Sequence, residues 1–138
     1  MTESSMIHQF SGIHVFGEMY GVSSEDLNNL ELLTNLLKAG IERSGATLCS
    51  LQEKQFSPSG LTLLGLLSES HASIHTYPEE GALFFDAFTC GERCNPSLIS
   101  DVLLEGLKPK HHDLQIISRG YKYGRAQEIS KKLKQEKH

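Results

Sequence analysis

From Ala46 to Cys90 the chain runs through four short segments of strand character, ATLCSLQEKQF, GLTLLGLLSE, HASIHTY and GALFFDAFTC, separated by turn-forming residues. Strands joined this closely read as an antiparallel meander, and no other feature narrows the possible folds as much. Upstream, SGIHVFGEMYG (Ser11 to Gly21) supplies a first strand. Ser23 or Ser24 then caps a helix in which Leu27, Leu30, Leu33, Leu37 and Ile41 recur at helical spacing, until RSG stops it at Gly45. Downstream, Pro96 opens a second helix carrying Leu98, Ile99, Val102, Leu103 and Leu107 on one side; Pro109 ends it and DLQIIS offers a last strand. The order β–α–β–β–β–β–α–β predicts an α+β fold: a two-layer α/β sandwich, an antiparallel sheet with helices on one face.

A chain of 138 residues fits one domain, residues 1–138, with a single core. Its formal charge of −4 argues against a general attraction to nucleic acid, and the lysines of SKKLKQEKH read as a solvated helix end or frayed tail. The run from Leu61 to Leu67 falls far short of the roughly 20 apolar residues that cross a bilayer, so no membrane span is expected. MTESSMIHQF lacks the basic start and apolar segment of a secretory signal, and Cys49, Cys90 and Cys94 cannot all pair within one chain. Reducing cytosol is the expected compartment.

The third strand segment and its flanks concentrate polar chemistry. Strand alternation points His71, Ser73, His75 and Tyr77 one way and Ala72, Ile74 and Thr76 the other. PEEG forms a hairpin connection that pairs Tyr77 with Ala82, and continuing that register sets Cys90 opposite Glu69 and Thr89 opposite Ser70, roughly 5–6 Å apart. Along the same straight strand Ser70 and His75 would be about 16 Å apart, too far to share a proton. Either His75 serves another purpose, or the strand bends sharply, or the histidine that works on Ser70 comes from a second copy in a symmetric dimer.

Without a family in view, several readings of this cluster compete. Zinc held by His71 and His75 with Cys90 and Cys94 is opposed by the spacing: residues four apart on a strand lie roughly 13 Å from each other, and there is no C-x-x-C pair. No metal site is therefore expected. A nucleophilic Cys90 with His75 as its base needs a closeness the strand does not provide. Exposed histidines and small core cysteines are the plain structural alternative.

SESHASIHTYPEEG followed by DAFTCG, together with GIHVFGEMYG, SGAT, FSPSGLT and RG at Arg119–Gly120, closely resembles the pyruvoyl-dependent S-adenosylmethionine decarboxylases of bacteria and archaea. The likeness spans most of the chain. It implies a proenzyme that cuts itself between Glu69 and Ser70 into a β chain, 1–69, and an α chain, 70–138, and converts Ser70 into a covalent pyruvoyl group. The resemblance further implies that this group binds S-adenosylmethionine as a Schiff base and acts as an electron sink during decarboxylation.

By the same resemblance His75 handles the Ser70 proton during processing and Cys90 protonates the substrate carbon. An ordinary thiol, with pKa about 8.5, is mostly protonated at neutral pH and suits a donor. Thr62 stands where the family carries serine; it keeps the processing hydroxyl and adds a methyl. Phe56 matches the aromatic that stacks on adenine, and Glu79 the carboxylate that holds the ribose hydroxyls. Cys94 and Cys49 have no matching role and are assigned to packing. The resemblance also selects the dimer: Phe56, Thr62, His75 and Glu79 of one subunit complete a site around Ser70 and Cys90 of the other. The expected activity is formation of decarboxylated S-adenosylmethionine, the aminopropyl donor for spermidine synthesis. Pyruvoyl-dependent decarboxylation of ornithine or arginine is the nearest alternative, and an uncut regulatory homologue the alternative from another class.

Overall fold

The structure, a computed structural model, describes residues 10–90, 92–120 and 127–128. Strands β1 (Gly12–Tyr20), β2 (Leu48–Gln55), β3 (Leu61–Leu67), β4 (His71–Tyr77), β5 (Ala82–Cys90), β6 (His111–Arg119) and the two-residue β7 (Gln127–Glu128) form one sheet in the order β2-β3-β4-β5-β1-β6-β7. Every adjacent pair is antiparallel. The meander from β2 to β5 is therefore real, and β1 enters at its far side between β5 and β6. SKKLKQEKH lies outside the described residues.

The first helical stretch differs from expectation. It is two helices, α1 (Ser24–Leu27), capped by Ser23 accepting from the Asp26 N–H, and α2 (Leu30–Ser44), capped by Asn29 accepting from the Leu32 N–H. The apolar spacing continues across the junction, but Asn28 and Asn29 use their side chains for local bonds that compete with a continuous helix. Gly45 ends α2 in the left-handed region at φ 91°, where a Cβ would be strained. The third helix, α3 (Ser97–Leu107), follows Pro96 as expected.

Both long helices cover the same sheet face. Leu33, Leu37 and Ile41 of α2 and Ile99, Leu103 and Leu107 of α3 are buried with Val15, Leu63, Ile74, Leu83, Phe85 and Ala87 of the strands. A Cβ on Gly40 would lie 3.0 Å from the Ile99 Cα, so that glycine lets the two helices approach. Among the described residues, no helix lies over the opposite face. Leu64, Leu66, Tyr77 and Phe84 are exposed there, with Leu66 at 58%.

Candidate active site

The connection from β3 to β4 is a tight turn. Leu67 N–H donates to the Ser70 carbonyl at 2.9 Å, leaving Ser68 and Glu69 at the tip. The Glu69–Ser70 peptide is thus an exposed-side turn peptide and not part of a ladder. Here the expected register needs correction: Tyr77 does pair with Ala82, but the β4–β5 ladder stops at His71 opposite Phe88. Cys90 pairs across to Gly12 of β1, because Glu69 and Ser70 have already turned back toward β3. The Thr47 N–H donates to Glu69 Oε1 at 3.3 Å, and Ser68 N–H donates to the Thr47 carbonyl at 2.9 Å, so the turn is anchored to the chain just before β2.

Cys90 closes β5, two residues beyond Phe88 on the same pleat, and is buried. Cys94 is buried beside it. Burial, with the Glu69 carboxylate and the Cys90 thiol close by, pushes the Cys94 thiol up to about 12. Cys94 is therefore a neutral packing group at physiological pH, in keeping with the packing role expected of it. Cys49 is exposed, its thiol 3.4 Å from the Ser68 hydroxyl.

Sequence reasoning missed the network that surrounds Ser70. The Ser70 hydroxyl is 3.3 Å from His71 Nδ1, and His71 Nε2 is 3.0 Å from Asp86 Oδ2. His14 Nε2 reaches the same oxygen at 2.9 Å, the Ser73 hydroxyl donates to Asp86 Oδ1, and Arg119 Nη1 is 3.3 Å from His14 Nδ1. Burial is the largest single influence on Asp86 and pushes its pKa upward. The hydrogen bonds from His14, Ser73 and His71 together outweigh it and hold the carboxyl well below the ordinary range. Part of this was readable: pairing Tyr77 with Ala82 puts Asp86 opposite Ser73, on the pleat that carries His71. The contribution of His14 and Arg119 was not, since it depends on β1 and β6 joining the sheet across long separations.

The other end of β4 holds the remaining expected residues. Phe56, Ser59, Thr62, His75, Tyr77 and Glu79 line one open cavity of about 340 Å³. The Thr62 hydroxyl is 3.1 Å from His75 Nδ1, across the β3–β4 pair that the two residues form. Threonine in place of serine thus still delivers its hydroxyl to the imidazole. Phe56 sits in a loop closed by its own N–H donating to the Gly60 carbonyl at 2.8 Å, and half of its surface is exposed. The loop is tied to the helix layer by Gly60 N–H donating to Asn28 Oδ1 at 2.8 Å. Glu79 lies in the short 3-10 turn Pro78–Glu80 before β5.

The described chain therefore brings Phe56, Thr62, His75 and Glu79 together at one end of β4 and Ser70, His71 and Cys90 toward the other. Because β4 runs unbroken from His71 to Tyr77, His75 lies about 13 Å along the strand from His71, away from the end that meets Ser70. His14, His71 and Asp86 are the donor group that could hold a metal among the described residues, their ligand atoms within 4.8 Å of one another. The bonds to Arg119 and Ser73 already use this group as a closed hydrogen-bond network.

Comparison with known proteins places these features in context. The family profile described as S-adenosylmethionine decarboxylase matches residues 13–120. An S-adenosylmethionine decarboxylase proenzyme of Brevibacillus brevis is 46% identical over 109 residues, covering 79% of this chain and 82% of that one. One of Aquifex aeolicus is 36% identical over 109 residues, covering 79% and 81%. The crystal structure of the adenosylmethionine decarboxylase from Aquifex aeolicus superimposes with a TM-score of 0.74 at 34% identity, over 80% of this chain and 91% of that one. The chain belongs to the S-adenosylmethionine decarboxylase family.

Proposed function

We propose that this protein decarboxylates S-adenosylmethionine to the aminopropyl donor used in spermidine synthesis, after cutting itself between Glu69 and Ser70. The observation that carries the reading is the tight turn at Leu67–Ser70, which presents the Glu69–Ser70 peptide outside any ladder with the Ser70 hydroxyl against an imidazole, in a chain of this family. The Ser70 Oγ attacks the Glu69 carbonyl carbon and the amide becomes an ester. Removal of the Ser70 α-proton then expels the Glu69 carboxylate, and the dehydroalanine left at residue 70 hydrolyses, releasing ammonia. The chains 1–69 and 70–138 result, the second beginning with a pyruvoyl group.

That keto group supplies an electron sink for the electrons left behind when CO₂ departs. The chain's own residues do the rest. Phe56 offers a flat, half-exposed ring to the adenine, and Glu79 a carboxylate to the ribose hydroxyls. Cys90, buried at the end of β5, holds the proton that the substrate carbon receives.

The site is completed by a second copy. A single chain leaves His75 about 13 Å along β4 from His71, at the far end of the strand from Ser70. The uncovered sheet face, with Leu64, Leu66 and Phe84 exposed beside the polar cluster, is the surface a symmetric partner would cover. In that dimer His75 and Thr62 of one subunit serve Ser70 of the other. The free thiols at Cys90 and Cys94 favour a reducing, cytoplasmic setting. Among the described residues no helix is long and apolar enough to cross a membrane.

Release of labelled CO₂ from carboxyl-labelled S-adenosylmethionine, ornithine and arginine tests the assignment. Only S-adenosylmethionine should yield it, and Phe56→Ala should raise KM roughly 5- to 150-fold, the value of about 1–3 kcal/mol for a stacked base. Release from ornithine or arginine alone would assign another substrate. An uncut chain without activity would favour the regulatory role.

A further inference from the structure

His71 is bonded to Ser70 on one side and to Asp86 on the other, and its role is not explained by the residues assigned so far. We propose that His71 is the base that starts chain cleavage, taking the Ser70 hydroxyl proton, and that Asp86 positions it. This inference rests on the reading of Glu69–Ser70 as the bond that is cut.

The hydrogen-bond chain has only one consistent direction. Arg119 can only donate, so His14 Nδ1 accepts from it at 3.3 Å and the proton of His14 lies on Nε2, directed at Asp86. The Asp86 carboxylate can only accept, so His71 also carries its proton on Nε2. His71 Nδ1 is then a lone pair, and the group facing it is the Ser70 hydroxyl. Hydroxyl, imidazole and carboxylate stand in the order used by nucleophile–base–orienter triads, assembled here on the pleat shared by β4 and β5.

The step balances without any added reagent. His71 Nδ1 takes the hydroxyl proton while Ser70 Oγ forms a bond to the Glu69 carbonyl carbon. The same proton passes to the residue 70 nitrogen as the C–N bond breaks, leaving an ester and a free amine. In between, the imidazolium is stabilised by the Asp86 carboxylate, which accepts from His71, His14 and Ser73 together. His75 cannot substitute within the same chain: it lies four residues along β4, about 13 Å from His71, and is bonded to Thr62. The two histidines of ESHASIH thus divide the work, one forming the ester and the other, across the dimer, breaking it.

Self-cleavage of freshly translated full-length chain, followed by denaturing electrophoresis, tests this. His71→Ala and His71→Gln should each slow cleavage by about 100-fold or more, the range for loss of a general base, and added imidazole should speed His71→Ala. Uncut His71→Ala should resist hydroxylamine, whereas uncut His75→Ala should be cleaved by it, since its ester has formed. Asp86→Asn should shift the acid limb of the cleavage–pH profile to lower pH. That imidazole faces Asp86 from β5, with His14 from β1 and Arg119 from β6 behind it, and losing the carboxylate makes it a weaker base. Cleavage of either His71 variant within about twofold of the natural rate, or hydroxylamine-sensitive ester in His71→Ala, would overturn the proposal for His71. An unmoved acid limb would overturn the role of Asp86. Failure of the natural chain to cut at all would instead remove the parent reading.

Discussion

The two ends of β4 carry a histidine each, and under the proposed function the difference between them is why one chain would not be enough. At the start, His71 is wired to a carboxylate and to the hydroxyl beside the turn peptide. At the end, His75 has a hydroxyl for a partner and opens onto a cavity lined by an aromatic ring and a carboxylate. On the proposed reading one end remakes a peptide bond and the other receives a ligand. A strand rise of about 3.3 Å per residue keeps them apart, so the proposed reading calls for a symmetric second copy to bring the end of one strand to the start of another. The bare sheet face is where this becomes possible. On the covered face each buried leucine contributes about 1.5–3 kcal/mol, while Leu66, at 58% exposure, forgoes most of that in a single chain.

The sharpest way to break this division is to mix defects. Ser70→Ala and His75→Ala chains should each stay uncut when produced alone. Produced together in equal amounts, about half of the His75→Ala chains should be cut, because a mixed dimer pairs their Ser70 with an intact His75. The cut fraction of a size-tagged His75→Ala chain, read on a denaturing gel, decides it. No cleavage on mixing would place both groups of residues in one chain's own site.

A smaller effect distinguishes the two ends by acid. Asp86 has a lower pKa in the fold than in the unfolded chain, so its contribution to stability is fully present above the ordinary carboxylate value of about 3.9. It is lost progressively as pH falls below that value toward the depressed folded one. In urea unfolding, the stability gap between the natural chain and Asp86→Asn should narrow by about 1 kcal/mol between pH 7 and pH 3. Thr62→Val, at the other end, should show a gap that does not follow this carboxylate. A pH-independent gap for Asp86→Asn would mean that the carboxylate is not held ionised by its neighbours.

Local pattern made most of the meander readable, since strands joined by short turns must pair with their neighbours and Tyr77 opposite Ala82 follows from the length of PEEG. The helix layer was readable too, from the spacing of Leu33, Leu37 and Ile41 and from Gly45. The break at Asn28–Asn29 was hidden because apolar periodicity does not register competition from side-chain caps. Of the site, the placing of His75 well along β4 from His71 came directly from strand rise. The turn that frees Glu69–Ser70 from the β5 ladder was hidden by extending one register past its end, and the His14–Asp86 bond by the sequence distance between β1 and β5. Contacts between neighbouring hairpins are local consequences of turn length; contacts across the sheet are decided only by the whole fold.

The proposed chemistry begins with a break in the backbone between Glu69 and Ser70, and denaturing mass spectrometry of the purified natural chain tests for it directly. Two fragments should appear, residues 1–69 with an ordinary carboxyl end and residues 70–138 beginning with a keto group in place of the serine amine. A single uncut species of 15.3 kDa, or a second fragment beginning with a free seryl amine, would contradict it.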